Sequence, residues 1–157
     1  MARGKRGLDP EKWAEIAVRE AEKARRNGTF GVGGLLMDNN SGKIAKVIRN
    51  RVIQNCSVHD PTAHVERQLV DWYYCHYYPK NKKNPTSERM MTIVTSLEPC
   101  LMCAGSILTG GFNVISVSRD ELAGVGCKGQ EFSTLPEDMR QKAKETFSAF
   151  GIAGKGA

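Results

Sequence analysis

Met91-Thr92-Ile93-Val94-Thr95 and Val114-Ile115-Ser116-Val117 bracket the stretch Pro99-Cys100-Leu101-Met102-Cys103-Ala104-Gly105, which runs on to Gly110-Gly111. The two flanking segments are short and rich in β-branched residues, the signature of strands. Between them a proline opens a helix and the glycine pair closes it. Cys100 and Cys103, three residues apart, then share one face of that helix close to its N-terminus. There the helix dipole and the free backbone N–H groups favour the thiolate, the form that binds metal. The plain alternative for such a pair is two small core residues at helical spacing.

Moving outward from this unit, helices and strands continue to alternate. Asp9-Pro10 is a good helix start, and Trp13, Ile16, Ala17, Ala21 and Ala24 recur at helical spacing until Asn27-Gly28. Val32 to Met37 and Ile44 to Ile48 flank the turn-rich Asp38-Asn39-Asn40-Ser41-Gly42 and predict a β-hairpin. A second helix is predicted from Asp60-Pro61, with Val65, Leu69, Trp72, Tyr73 and His76 as its apolar stripe and Pro79 as its stop. A last helix is expected from about Glu137 to Phe147. The order implies an α/β layered domain.

The bulk composition bounds the rest. A chain of 157 residues with 40% hydrophobic and 25% charged residues is a normal globular balance, so one domain over 1–157 is expected, with its core at about 9–150 between short, disordered-looking termini. The net charge of +6 suits an anionic partner such as nucleic acid. Much of the excess, however, sits in Arg3-Gly4-Lys5-Arg6 and in Lys80 to Lys83, which read as solvated tail and loop. The basic N-terminus meets Asp9-Pro10-Glu11-Lys12 without an apolar stretch, and no window reaches the length of a membrane span. A cytoplasmic protein with no membrane partner is therefore expected. Five cysteines at irregular spacings argue against a disulfide framework, and in a reducing compartment Cys-x-x-Cys points to metal or redox chemistry.

A third ligand type comes from His64-Val65-Glu66. The Asp60-Pro61 cap would set His64 in the first turn of its helix, so that two helix N-termini converge on one point. One imidazole and two thiolates make three ligands, the number expected of a catalytic zinc that keeps a fourth position for water. Two thiolates neutralise Zn²⁺, and Glu66 is close enough to handle that water's proton without binding metal. Alone, His64 would read as a buried structural histidine and Glu66 as a solvated helix residue. Cys75, His76 and Cys127 remain for other duties; a fourth ligand from among them would close the site and make the zinc structural.

At these residues the chain resembles the zinc cytidine-deaminase superfamily, whose signature is His-x-Glu followed downstream by Pro-Cys-x-x-Cys. Asp60-Pro61-Thr62-Ala63-His64-Val65-Glu66 and Thr95 to Gly105 look like the branch that holds cytosine, guanine and tRNA-adenosine deaminases, and residues from about 12 to 127 follow its order of elements. The resemblance implies a three-layer α/β/α domain with a central mixed sheet. It implies a hydrolase of cyclic-amidine C–N bonds, with one Zn²⁺ per chain carrying a bound water or hydroxide on His64, Cys100 and Cys103. Glu66 would move that water's protons to the ring nitrogen and the departing ammonia. Asn50 looks like the family's substrate-binding asparagine, although it lies a few residues further from His64 than the pattern, which leaves Asn55 as a rival. Asp120 matches a carboxylate that some members place against the substrate's amino group. Members of this branch are commonly dimers, so a homodimer is implied.

Three functions stay open. Gly33-Gly34-Leu35-Leu36 leading into the hairpin favours a free nucleobase of the cytosine or guanine type. His59 to His64, Cys103-Ala104-Gly105 and the positive charge favour a tRNA adenosine deaminase, with tRNA as partner. A zinc-stabilised RNA-binding subunit without activity would have no need of Glu66. The segment from Asp71 to Arg89 is longer than usual for the branch and rich in aromatics. Tyrosines at helical spacing usually face a core or an interface, but a lid or a base-stacking wall is also open.

Overall fold

The structure, a computed structural model, describes residues 9–81 and 90–120 together with 137–139, 141, 142 and 145. Its elements are α1 (Pro10–Arg26), β1 (Gly33–Asp38), β2 (Lys43–Arg49), β3 (Ile53–Gln54), β4 (Ser57–Val58), α2 (Val65–Trp72), a π-helical turn (Tyr73–Tyr77), α3 (Tyr78–Asn81), β5 (Met91–Leu97), α4 (Leu101–Gly110) and β6 (Asn113–Ser118). The main sheet has the order β2-β1-β5-β6, with β1 antiparallel to both neighbours and β5 parallel to β6. It is the mixed sheet implied by the family resemblance, and the predicted hairpin is β1–β2.

Alternation along the strands sorts the core into two halves, because successive side chains leave a strand on opposite faces. Leu35, Met37 and Val94 pack with Trp13 and Ala17 of α1. Leu36, Ile93 and Leu97 pack with Val65, Leu69 and Tyr73 and with Ile107 of α4. The sheet is therefore the middle of three layers. Helical residues among 137–145 join the α1 side, where Met139 packs against Ala14, Val18 and Val117 and Lys142 pairs with Glu22 at 3.1 Å. The remainder of the predicted 137–147 helix lies outside the described residues.

Two adjacent glycines let both helical layers approach β1. A Cβ on Gly33 would lie 2.4 Å from the carbonyl oxygen of Ala17 and the backbone nitrogen of Ala21 in α1. A Cβ on Gly34, one residue on and facing the other way, would lie 2.7 Å from Cγ1 of Val65 in α2. Both distances are shorter than any real carbon contact, so any larger residue here would push a helix off the sheet.

Two expected boundaries differ. Asp60-Pro61 does not open α2, which begins at Val65. The Asp60 carboxylate instead accepts bonds from the Thr62 amide and hydroxyl, both at 2.8 Å, and these bonds hold its pKa below the usual carboxylate value. Ala63 N bonds back to Asp60 O, which closes a tight turn in place of a first helical turn. Nor does Pro79 stop the second helix. The helix widens through Tyr73–Tyr77, where the Tyr78 amide reaches the Tyr73 carbonyl, and continues to Asn81. Proline has no N–H and crowds the carbonyl four residues back, so a wider turn just before it removes the conflict.

The tyrosines pack. Tyr73 is fully buried, edge-on to Phe112 at 5.1 Å and stacked on Tyr77 at 5.7 Å, while Tyr77 donates to the buried Asp38 carboxylate at 2.8 Å. Burial pushes both tyrosine hydroxyls up to about 12, with the Asp38 bond adding at Tyr77. Residues 82–89 of the Asp71–Arg89 segment lie outside the described residues. On the outer side of α4, Leu101 and Leu108 are 79% and 78% exposed, and Met102 and Gly105 complete a stripe without a charge.

Candidate active site

The site lies at one end of the sheet, where β2 and β5 both finish and β1 begins. In layered α/β proteins, loops at the carboxyl ends of strands gather ligand-binding groups. His64 and Cys100 both reach it as N-cap residues in extended backbone, with φ −66° and −72°, immediately before α2 and α4. Neither side chain caps its own helix, so both are available to a ligand. Two sequence expectations shift accordingly. His64 precedes the first helical turn, and Pro99 stands before the N-cap, where it fixes the approach of the chain instead of filling the first helical position.

His64 Nδ1 lies 3.7 Å from Cys100 Sγ, and the ligand atoms of His64, Cys100 and Cys103 all lie within 4.8 Å of one another. Zinc bonds of about 2.0–2.3 Å in a tetrahedron put neighbouring ligands roughly 3.5–3.8 Å apart, so these three fit a zinc ion. Burial pushes the Cys103 thiol well up, and the nearby Glu66 and Cys100 add to the effect. Ionised thiols and a carboxylate packed this closely repel one another, and a divalent cation between them removes that penalty. Among the described residues this is the one group of three that can hold a metal, and Cys75 and His76 take no part in it. They sit on a wide groove beside β2, where His76 stacks on Trp72 at 6.0 Å. Cys127 lies outside the described residues.

Glu66 is 3% exposed, and its Oε1 accepts a bond from Thr95 Oγ1 at 2.9 Å. It lines a cavity of about 160 Å³ together with His64, Cys100, Asn50, Glu98 and Asp120. That is about five waters at ~30 Å³ each, the scale of one flat heterocycle.

The sequence-predicted contacts separate cleanly. Asn50 is buried in the cavity wall, and its Oδ1 is taken by Thr29 Oγ1 at 2.7 Å and Val52 N at 3.0 Å. Its amide N–H is thus the group left for the cavity. Asn55 is elsewhere, in the tight β3–β4 turn with φ +52°, where asparagine is favoured. Asp120 joins the wall through its backbone N, which donates to Glu98 Oε2 at 3.2 Å. Glu98 in turn donates its own N to Ser118 O at 2.8 Å, so it ties the end of β6 to the end of β5. The sequence reading passed over Glu98 and Thr95. Glu98 carries a legible signal, a carboxylate directly before the Pro-Cys pair, whereas Thr95 is one of three hydroxyl residues in its strand.

Residues 9–118 match the family model of the cytidine and deoxycytidylate deaminase zinc-binding region. The chain belongs to this family. A tRNA-specific adenosine deaminase of Haemophilus influenzae is 33% identical over 100 residues, covering 62% of this chain and 51% of that protein. This chain therefore spans about half of that relative's length. A tRNA-specific adenosine deaminase 2 of Xenopus laevis is 27% identical over 158 residues, covering 89% of this chain and 85% of that one. Among solved structures, a guanine deaminase from Nitrosomonas europaea superposes with TM-score 0.62 at 17% identity, over 93% of this chain and 86% of that one. A structure from work on tRNA:A34 deaminases gives TM-score 0.57 at 23% identity, over 72% and 79%. These structural likenesses carry the shared fold. No helix among the described residues is long and apolar enough to cross a membrane.

Proposed function

We propose that the protein is a zinc-dependent deaminase of a free amino-bearing nucleobase of the cytosine or guanine type. The observation that carries this reading is the base-sized cavity whose wall holds His64, Cys100 and Glu66 together. His64, Cys100 and Cys103 would hold Zn²⁺. When bound, the ion supplies the Lewis acidity that lets water react at neutral pH. Glu66 takes one proton from that water as its oxygen bonds to the amino-bearing ring carbon, and passes it to the adjacent ring nitrogen. A second proton then follows to the amine, the C–N bond breaks and ammonia leaves. The Asn50 amide donates to an acceptor on the base edge, and the Asp120 carboxylate is the candidate acceptor for an amino group.

One observation favours a second reading, adenosine within tRNA: both sequence relatives described above are tRNA-specific adenosine deaminases. One panel decides between the two, measuring ammonia from guanine, cytosine, adenine and their nucleosides beside inosine in an anticodon stem-loop. Release from a free base is expected; turnover of the stem-loop alone would transfer the assignment to tRNA.

The charge-free stripe Leu101, Met102, Gly105 and Leu108 is the surface we assign to a second copy of the chain. A helix apolar on every side is normally covered on every side, and an exposed apolar patch flanked by polar residues is a common mark of an interface. Arg67 and Asp71, paired on α2 beside this face, supply both signs of charge that a two-fold interface needs at its rim.

A further inference from the structure

On the side of β5 that faces α2, the side chains alternate as Ile93, Thr95 and Leu97. Thr95 is fully buried between two apolar neighbours. A hydroxyl in that position costs stability unless it is hydrogen-bonded, and valine would fill the same space without that cost. Its bond goes to Glu66, across 2.9 Å, between two buried side chains. The opposite position in the strand register is Gly34. The missing side chain there lets Val65 seat directly on the sheet, and the next residue, Glu66, thereby comes within reach of Thr95. A free glutamate carboxylate rotates broadly about its last torsion; a bond to one of its oxygens from the rigid floor of the sheet removes that freedom.

We infer that Thr95 is a positioning residue for Glu66: its hydroxyl holds one carboxylate oxygen so that the carboxylate keeps a single orientation toward the cavity. Thr95 is not part of the cavity wall, so it acts on the proton carrier and leaves substrate binding alone. The inference rests on Glu66 being that carrier, and the test separates the two ideas.

Crystal structures of the zinc-loaded wild type, Thr95→Val and Thr95→Ser examine the placement without any turnover. Glu66 is expected in one rotamer in the wild type and in Thr95→Ser, and swung away or split in Thr95→Val. An unchanged Glu66 in Thr95→Val overturns the inference. Steady-state kinetics on the base that the wild type deaminates examine the consequence. Thr95→Val is expected to lower kcat about 10- to 100-fold with KM within about twofold and zinc content unchanged, and Thr95→Ser to recover most of the loss. A kcat within twofold of wild type in Thr95→Val, or a loss that Thr95→Ser does not repair, overturns it. Should Thr95→Val not fold, Thr95→Ala removes the same hydroxyl and is judged by the same two readouts. A wild type inactive on every substrate in the panel, with Glu66 displaced in Thr95→Val, would sink the functional reading while leaving the placement intact.

Discussion

The start of α1 and the starts of α2 and α4 solve the same problem in opposite ways. At α1 the Asp9 side chain accepts from the Lys12 backbone N at 3.3 Å, and Pro10 removes another unsatisfied donor. At α2 and α4 the N-cap positions go to His64 and Cys100, whose side chains make no such bond. Good N-caps contribute about 1 kcal/mol each. The two helices nearest the cavity forgo this contribution, and their cap side chains face a common point.

The contrast is sharpest at Glu66, in the first turn of α2. Glu66→Ala is expected to lower ammonia release by roughly 10²–10⁴-fold, while zinc analysis still finds about one ion per chain. Full activity in that variant would remove Glu66 from the mechanism. His64→Asn exchanges ligand for cap. The metal-free variant should gain about 0.5–2 kcal/mol over the metal-free wild type in chemical denaturation, and should no longer retain zinc on dialysis. A variant that still holds zinc would mean that His64 is not a ligand. Asp9→Ala marks the other side of the comparison, with an expected loss of about 1 kcal/mol in stability and unchanged kcat. A changed kcat would show that α1 is coupled to the site.

How much of this was legible in the sequence follows the same line. The cap of α1 is local, and Asp9-Pro10 announced it correctly. Asp60-Pro61 and Pro99 gave equally good local signals but lie a few residues ahead of the helices they seemed to open. Tertiary positioning of His64 and Cys100 overrides the local preference there, and a capping rule has no access to that. The motifs pointed to the His64, Cys100 and Cys103 cluster that the fold brings together, and to Glu66 in the cavity beside it, because residue type and order are enough to suggest chemistry. They could not reveal Thr95, since threonine is an ordinary strand residue and its partner lies 29 positions away. The π-helical turn was hidden for a similar reason: Pro79 reads as a stop unless the preceding turn is free to widen.

Two smaller tests concern surfaces away from the cavity. Leu108→Glu puts a charge on the bare face of α4 and should convert a dimer to monomer by light scattering; a wild type already monomeric at the same concentration would end that assignment. At the far end of the second helix, Tyr77 gives a pH signature. Its proton is held up to about 12 in the folded chain, against about 10 when unfolded. Between those values the unfolded chain releases the proton first, so the contribution is complete below pH 10 and is lost as pH rises toward 12. Tyr77→Phe should therefore show a shallower fall in denaturation midpoint between pH 10 and 12, and an equal fall would exclude the residue as a source.

The neighbouring glycines of β1 carry a consequence for remote mutations. At that point the sheet is only a backbone thick, and the main chain of α1 leans against one side while the first turn of α2 leans against the other. Bulk added at Ala17 or Ala21 has no slack to absorb it, so the displacement passes through β1 to the helix that carries Glu66. Random mutagenesis screened for lost turnover should therefore return hits on the back of the molecule, in a helix that contributes nothing to the cavity wall.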